Sequence, residues 1–359
     1  MEGKKFLEVM LKSLKYFFIG FFVLILLFAG YFFIRYMLKE PLKQIQATEH
    51  KELSRESCIS CHEPIANEWD KSYHLQSITG VFMKRFEKAG FQRVFTALEV
   101  ECLNCHAPAN VLDVEHGKYP TQRNTENELG VDCVSCHVSK KGIVGPGNYT
   151  KAPHEVLSDK RFKNGNETST SICATCHDEK LGPVVEDWEK TKFAKEDISC
   201  VTCHMPEINA PIVTGGPARL RRSHIFKDDK DFEMLKEGLN ATLNINEERE
   251  AVVQIINDRV GHSFPAAGLN TLIAQIVVYD QSGKIVETKE NKFKRSETVP
   301  NYLDFWPFYI NSAIPYGETR NLKVKLPKDH GKVSAKFSYR DWPTIKDKDM
   351  LILELTKEY

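Results

Sequence analysis

The sequence Cys-x-x-Cys-His occurs five times in this chain, and the five copies contain all ten of its cysteines. They begin 44, 31, 40 and 27 residues apart. The copies are Cys58/Cys61/His62, Cys102/Cys105/His106, Cys133/Cys136/His137, Cys173/Cys176/His177 and Cys200/Cys203/His204. Because every thiol is placed at this one spacing, whatever the motif binds must dominate the folding of the segment that carries it.

Each copy has the spacing of an attachment site for c-type haem, in which two thiols bind the porphyrin and the next histidine binds the iron. Structural zinc sites of four thiolates would leave one cysteine pair over and five histidines unexplained. A disulfide framework does not require a histidine at a fixed position. A thioredoxin-like redox motif would occur once, beside a βαβ pattern. The motif therefore favours haem over these alternatives.

We expect five covalently attached haem c groups, each held through the two cysteines of one copy and containing one iron. The expected proximal iron ligands are His62, His106, His137, His177 and His204. With about 30 residues of chain per haem, the protein is too short here to bury five porphyrins in a conventional core. We therefore expect a mainly α and loop domain with little regular structure, in which neighbouring haems lie close together.

The N-terminal part contains a long apolar run, since the 19 residues 16–34 include no charge. As a helix they would extend about 28 Å, close to the hydrocarbon thickness of a bilayer. A cleaved signal peptide would have a shorter apolar part and a small-residue cleavage site after it. The pattern predicts an uncleaved transmembrane signal anchor at 16–38, a cytoplasmic tail at 1–15 and a polar stalk at 39–56.

The residue pattern changes near residue 240, where short runs of β-branched residues begin, with partial alternation of apolar and polar positions. Residues 280–283 (DQSG) have the composition of a hairpin turn. We expect an antiparallel β-sandwich at 241–359, immunoglobulin-like in outline. The predicted fold is thus mixed: a transmembrane helix, a pentahaem cytochrome c domain at 57–206, a connecting segment at 207–240 and the sandwich.

The second ligand of each iron decides between two functions, because an iron with two histidines passes electrons and a five-coordinate iron has room for a substrate. The candidates for second ligands are His74, His116, His154, His224 and His262. His74 follows the first motif on an amphipathic stretch, and His224 follows two arginines after the last motif. The Gly-His-Ser-Phe-Pro string around His262 either supplies a ligand or only shapes a turn.

Three strings resemble the multihaem cytochromes of the cytochrome c-554 type. The first is CISCHEPIANEWDKSYH, where Trp69, Ser72 and His74 match the W-x-x-S-x-H of that family. The second runs from ENELGVDCVSCH through APHEV and CATCH to CVTCHMP, and the third is RLRRSHIF with GHSFPAAG. The resemblance implies that His74 and His224 are second iron ligands. Resemblance to c-type cytochromes also implies that haem is attached outside the cytoplasmic membrane.

Lys plus Arg and Asp plus Glu both number 49, so no basic excess indicates nucleic acid as a partner. We predict a pentahaem cytochrome in the cytoplasmic (inner) membrane, with its N-terminus inside and its haem and β domains in the periplasm. There it would relay electrons from quinol or another membrane donor to a redox partner protein.

The alternative is an enzyme, a reductase or oxidase of a small nitrogen or sulfur oxyanion at a five-coordinate haem. Arg219, Arg221 and Arg222 would then bind the anion, or else pair with carboxylates. Every motif ends in histidine, whereas the pentahaem nitrite reductases use a Cys-x-x-Cys-Lys variant. Electron transfer is therefore the expected activity. A third interpretation, a subunit that docks a catalytic partner through the sandwich, overlaps with it.

Overall fold

The computed structural model describes residues 14–16, 18–27, 53–79, 99–114, 120–124, 126–148, 150, 153–163, 166–177, 184–228, 231–266, 270–295, 312–340 and 349–359. The chain forms two compact units. One contains Met1–Gln46 and Thr150–His154, and the other contains Ala47–Tyr149 and Glu155–Tyr359. The elements labelled below all belong to the second unit.

The predicted transmembrane anchor at 16–38 is not found. Within it, residues 18–27 are helical and exposed, and ten residues of helix extend about 15 Å, half of a bilayer's hydrocarbon thickness. In the part of the chain that the structure describes, no helix has both the length and the apolar character needed to cross a membrane. This finding contradicts the predicted anchor and the inner-membrane localisation that was based on it. Residues 28–38 lie outside the described residues.

Short helices carry the five motifs. The helices of the second unit are α1 (Arg55–Trp69), α2 (Gln76–Thr79), α3 (Glu99–His106), α4 (Cys133–His137), α5 (Asn166–His177), α6 (Val184–Glu189), α7 (Lys192–Lys195), α8 (Cys200–His204) and α9 (Phe232–Gly238). Helices α3, α4, α5 and α8 end at the histidine of a motif. In α1 the backbone of His62 is not helical, and Pro64 follows inside the helix, where it cannot donate a helical hydrogen bond. The helical geometry therefore stops or breaks at each motif histidine.

Small sheets lie among these helices, so the predicted helix-and-loop description of the haem region was incomplete. The strands are β1 (Pro108–Asn110) with β2 (Thr121–Gln122), β3 (Val138–Ser139) with β4 (Gly142–Gly145) and β5 (Leu157–Ser158), and β6 (Glu207–Pro211) with β7 (Ala218–Arg222). The β4–β5 pair is parallel and the other pairs are antiparallel. In the buried strands β3 and β4, this pairing satisfies backbone groups that would otherwise lack a partner.

The C-terminal part forms two antiparallel sheets, with strand orders β11-β10-β13-β14 and β12-β9-β8. Their strands are β8 (Asn240–Ile245), β9 (Glu250–Ile256), β10 (Thr271–Asp280), β11 (Ile285–Lys294), β12 (Thr319–Lys325), β13 (Gly331–Arg340) and β14 (Met350–Glu358). Side chains from both sheets share one hydrophobic core, in which Val253, Leu272 and Phe337 are fully buried. The two sheets therefore pack on each other through their apolar faces.

The turn between β10 and β11 lies where the DQSG string indicates it. The Asp280 N–H donates to the Lys284 carbonyl at 2.9 Å, and the Asp280 carboxylate accepts from the Ser282 N–H at 2.8 Å. Gly283 has a φ of +80°, which glycine adopts without a steric penalty. The turn chemistry and the strand pattern thus specify the same hairpin.

Candidate metal centres

Backbone carbonyls orient the motif histidines. The distances from Nδ1 to the carbonyl oxygen are 3.1 Å for His62 and Ile212, 2.8 Å for His106 and Ser77, 3.0 Å for His137 and Val144, and 2.6 Å for His204 and Lys227. Because a carbonyl oxygen only accepts hydrogen bonds, Nδ1 carries the proton and Nε2 keeps its lone pair. Partners of this kind fix the tautomer and orientation of metal-binding histidines. These four rings are therefore prepared to bind a metal through Nε2.

Three motif histidines each face a histidine from outside the motifs. The distances between ring centroids are 6.4 Å for His177 and His74, 6.2 Å for His137 and His224, and 6.3 Å for His204 and His262. Imidazole nitrogens bind first-row metals at about 2 Å, so rings on opposite sides of one metal have centroids roughly 6 Å apart. The three pairs have the spacing of two ligands that share one iron, and the donor set fits a haem.

The non-motif partners are held in the neutral form. Desolvation, reinforced by the facing His177, lowers the pKa of His74 to about 3. Desolvation likewise lowers the pKa of His224 to about 4 and that of His262 to about 4. Neutral imidazole is the form that binds a metal. Each of the three rings therefore has its lone pair available at neutral pH.

An ion pair fixes the position of His224. The Glu68 carboxylate accepts the His224 N–H at 2.8 Å and two hydrogen bonds from Arg221 at 2.8 and 2.9 Å. Desolvation opposes ionisation, but the Arg221 hydrogen bond holds the pKa of Glu68 below its usual range. Helix α1, which carries the first motif, is thereby attached to the end of β7, just before His224. Arg221, a candidate anion ligand in the sequence, binds this carboxylate instead.

A second carboxylate fixes the turn that contains His262. Asp187 on α6 accepts hydrogen bonds from the Ser263 N–H at 3.2 Å, the Ser263 hydroxyl at 2.7 Å and Arg295 at 2.9 Å. Arg295 is only 3% exposed. The C-terminal sheets are therefore joined to the motif region beside the residue that faces His204.

Thiols from different motifs lie in contact. Cys58 lies close enough to Cys133, Cys105 to Cys176, and Cys173 to Cys200 for the thiols of each pair to affect each other's pKa. The first motif is thus next to the third, the second next to the fourth, and the fourth next to the fifth. Motifs that are distant in sequence are neighbours in the fold.

The other predicted site residues are placed as follows. The remaining attachment cysteines on the motif helices are Cys61, Cys102, Cys136 and Cys203. His154 is half-buried in the first compact unit. His116 lies outside the described residues. The roles of these residues stay predictions.

Sequence reasoning did not identify the residues that hold the candidate ligands. Glu68 and Asp187 act on partners far away in the chain, and no local pattern marks them. Ser263 is next to His262 in the Gly-His-Ser-Phe-Pro string, and that adjacency is the one available signal.

Comparisons with known proteins indicate which class of protein has this sequence motif and this fold. Residues 57–138, which contain the first three motifs, match the family model described as cytochrome c554 and c-prime. The fold is similar to that of a penta-heme cytochrome c552 from Thermochromatium tepidum, with 19% identity, a TM-score of 0.60 and coverage of 86% of this chain and 100% of that chain. At this identity the likeness concerns the fold alone.

A superoxide reductase from Nanoarchaeum equitans also matches, with 12% identity, a TM-score of 0.21 and coverage of 34% of this chain and 93% of that chain. A likeness this weak supports no functional argument. No curated protein matches the chain.

The repeated motif, the paired histidines and the fold together support one class, the multihaem c-type cytochromes with covalently bound haem c. Within that class, its first three motifs are similar to those of cytochrome c554.

Proposed function

We propose that the chain is a five-haem electron relay in which at least three irons have a histidine on each side. The observation that carries this proposal is the spacing of the three histidine pairs, His74 with His177, His137 with His224, and His204 with His262. An iron with two protein ligands has no open position for a substrate. The geometry therefore supports electron passage at these three centres.

In this proposal, the residues of the chain attach the haem groups, orient the iron ligands and separate them from water. The cysteines of each motif would hold the porphyrin, and the carbonyls facing Nδ1 would direct His62, His106, His137 and His204 toward the iron. When bound, haem c supplies an iron that changes between ferric and ferrous states. Desolvation of the non-motif histidines keeps them neutral and able to bind.

The neighbouring thiols support an arrangement in which all five motifs are connected for electron transfer. Motif one adjoins motif three, and motif four adjoins motifs two and five. Cys136 of motif three is also close enough to Cys173 of motif four to raise its pKa electrostatically. We propose the branched order 1–3–4 with 2 and 5 both next to 4. This order differs from that of the motifs in the sequence.

A redox protein is the proposed partner, since the three centres without an open position have to receive and deliver electrons through the surface of the protein. Quinol as the donor stays a prediction, because no contact of the described residues bears on it. The enzyme alternative is not favoured, because Arg221 pairs with Glu68 and Arg222 pairs with Glu207 at 3.6 Å.

The test is low-temperature electron paramagnetic resonance (EPR) of the oxidised, haem-loaded protein, with iron and covalent haem quantified. We expect five haems per chain. In His74→Ala, His224→Ala and His262→Ala, roughly one iron in five should change from low to high spin, because each loses one axial ligand.

His330→Ala is the matched control. His330 is exposed and hydrogen-bonds the Tyr359 carbonyl at 3.2 Å, so its removal should leave the spin states unchanged. If the three test variants keep all irons low-spin, the assignment of these histidines is wrong. Fewer than five covalent haems would overturn the five-haem relay.

A further inference from the structure

Phe226 lies between two of the histidines that face a motif. Its ring centroid is 4.4 Å from that of His74 and 6.1 Å from that of His224, with interplanar angles of 83° and 89°. Edge-to-face packing at such separations is favourable for aromatic rings. One phenyl ring thus contacts the non-motif histidines of two different pairs.

The backbone of Phe226 has an unusual conformation, with a φ of +53°. A bulky residue rarely adopts this left-handed region, because its Cβ crowds the following carbonyl. Such a conformation persists where the surrounding structure enforces it, and it occurs preferentially at functional sites. The preceding Ile225 is 41% exposed, whereas the ring of Phe226 packs against both imidazoles.

Contacts on both sides hold this residue in place. On one side, the N–H of His224 donates to Glu68 at 2.8 Å. On the other side, the Lys227 N–H donates to the His204 carbonyl at 2.9 Å, and the Lys227 carbonyl accepts from Nδ1 of His204 at 2.6 Å. The segment 224–227 is therefore fixed at both ends, and Phe226 has little freedom to leave its position.

We propose that Phe226 is a positioning residue that fixes the orientations of the His74 and His224 rings. The phenyl ring stands nearly perpendicular to both imidazoles, so neither imidazole can turn into its space unless Phe226 moves. Residues that surround a metal ligand tune the metal through the orientation of that ligand. The inference rests on the proposed function in one respect, namely that His74 and His224 are iron ligands.

The test compares full-length, haem-loaded variants by EPR and by redox titration. Phe226→Leu keeps an apolar side chain but removes the flat ring. We expect the low-spin signals of roughly two irons in five to shift in g value, and the potentials of the same two to change, with haem content unaltered. Phe226→Tyr keeps the ring and should restore the wild-type signals. Ile225→Leu, in the same segment but away from the two imidazoles, is the control without a shift.

Unchanged g values and potentials in Phe226→Leu would overturn the proposal, and so would an equal shift of all five irons. If Phe226→Leu loses haem, Phe226→Met fills the same space with a flexible apolar side chain, and wild-type spectra in that variant would also overturn it. Failure of the ligand assignment is distinguishable, because His74→Ala and His224→Ala would then leave every iron low-spin.

Discussion

At the scale of single residues, Gly130 lies directly against the backbone of the candidate ligand His74. Its φ is +62°, and a Cβ at this position would overlap the His74 carbonyl oxygen and the Ser77 hydroxyl. The next residue, Val131, donates its N–H to the same His74 carbonyl at 3.0 Å. The chain leading into the third motif can contact the His74 backbone only because glycine stands here.

We predict that Gly130→Ala shifts the low-spin EPR signal of the iron bound by His74 and lowers the free energy of unfolding by about 2–4 kcal/mol. The cost combines the left-handed backbone with the displacement of the His74 segment. Thermal unfolding followed by circular dichroism in the haem absorption band, together with EPR, measures both effects.

Gly283→Ala is the matched control, because Gly283 has a φ of +80° and nothing lies within 4 Å of an added Cβ. Gly283→Ala should therefore lower the free energy of unfolding by about 1 kcal/mol, the cost of holding alanine in the left-handed region. Equal losses in the two variants would show that the contact with His74 has no energetic weight.

At the scale of elements, helix α6 joins the C-terminal sheets to the motif region. Asp187 binds Ser263 and the buried Arg295. Its neighbour Trp188 packs closely on Gly261, where an added Cβ would lie 3.2 Å from the indole. Two contacts therefore hold the turn that contains His262 against α6. They are the polar contacts of Asp187 with Ser263 and Arg295, and the close packing of Trp188 on Gly261.

We predict that Asp187→Ala lowers the free energy of unfolding by about 2–4 kcal/mol. The substitution leaves the Arg295 guanidinium buried without its carboxylate, which costs more than the loss of an exposed pair. Denaturant unfolding followed in the far ultraviolet gives the change.

Glu186→Ala on the same helix is the control. Glu186 and its partner Lys190 have side chains 47% and 68% exposed, so its removal should cost less than about 0.5 kcal/mol. If Asp187→Ala costs no more than Glu186→Ala, the ion pair does not stabilise the junction.

At the scale of the molecule, the C-terminal sheets and the motif helices belong to one compact unit. The segment between β9 and β10 contributes His262 to the pair with His204. The sheets also contain the main hydrophobic core, with Phe337 completely buried. Loss of the sheets would therefore withdraw a candidate ligand as well as the core.

We predict that Phe337→Ala lowers the free energy of unfolding by about 3–5 kcal/mol, because it leaves a cavity between the two sheets. On heating, loss of the far-ultraviolet strand signal should coincide with the change of roughly one iron in five from low to high spin. Natural circular dichroism in the far ultraviolet follows the strand signal during the melt, and magnetic circular dichroism in the haem bands follows the spin state of the iron.

Leu351→Ala is the control on the edge strand β14, since Leu351 is 48% exposed and its truncation should shift the midpoint far less than that of Phe337. A strand signal that disappears while every iron stays low-spin would contradict the prediction. It would mean that the sheets unfold independently of the His204 and His262 centre.

Pattern and structure agree where the signal is local. The β-branched alternation and the DQSG turn indicate β9 to β14 at the places where these strands lie. The anchor predicted at 16–38 was wrong, because no helix among the described residues is long and apolar enough to cross a membrane.

By itself, the sequence predicted the attachment chemistry, because two thiols and a histidine at one spacing form a complete local motif. It also pointed to His74, His224 and His262 as candidate ligands. Only the tertiary structure decided that they face His177, His137 and His204, respectively. Each pair joins residues that are far apart in the chain, and their approach depends on contacts such as those of Glu68 and Asp187, which no local pattern encodes.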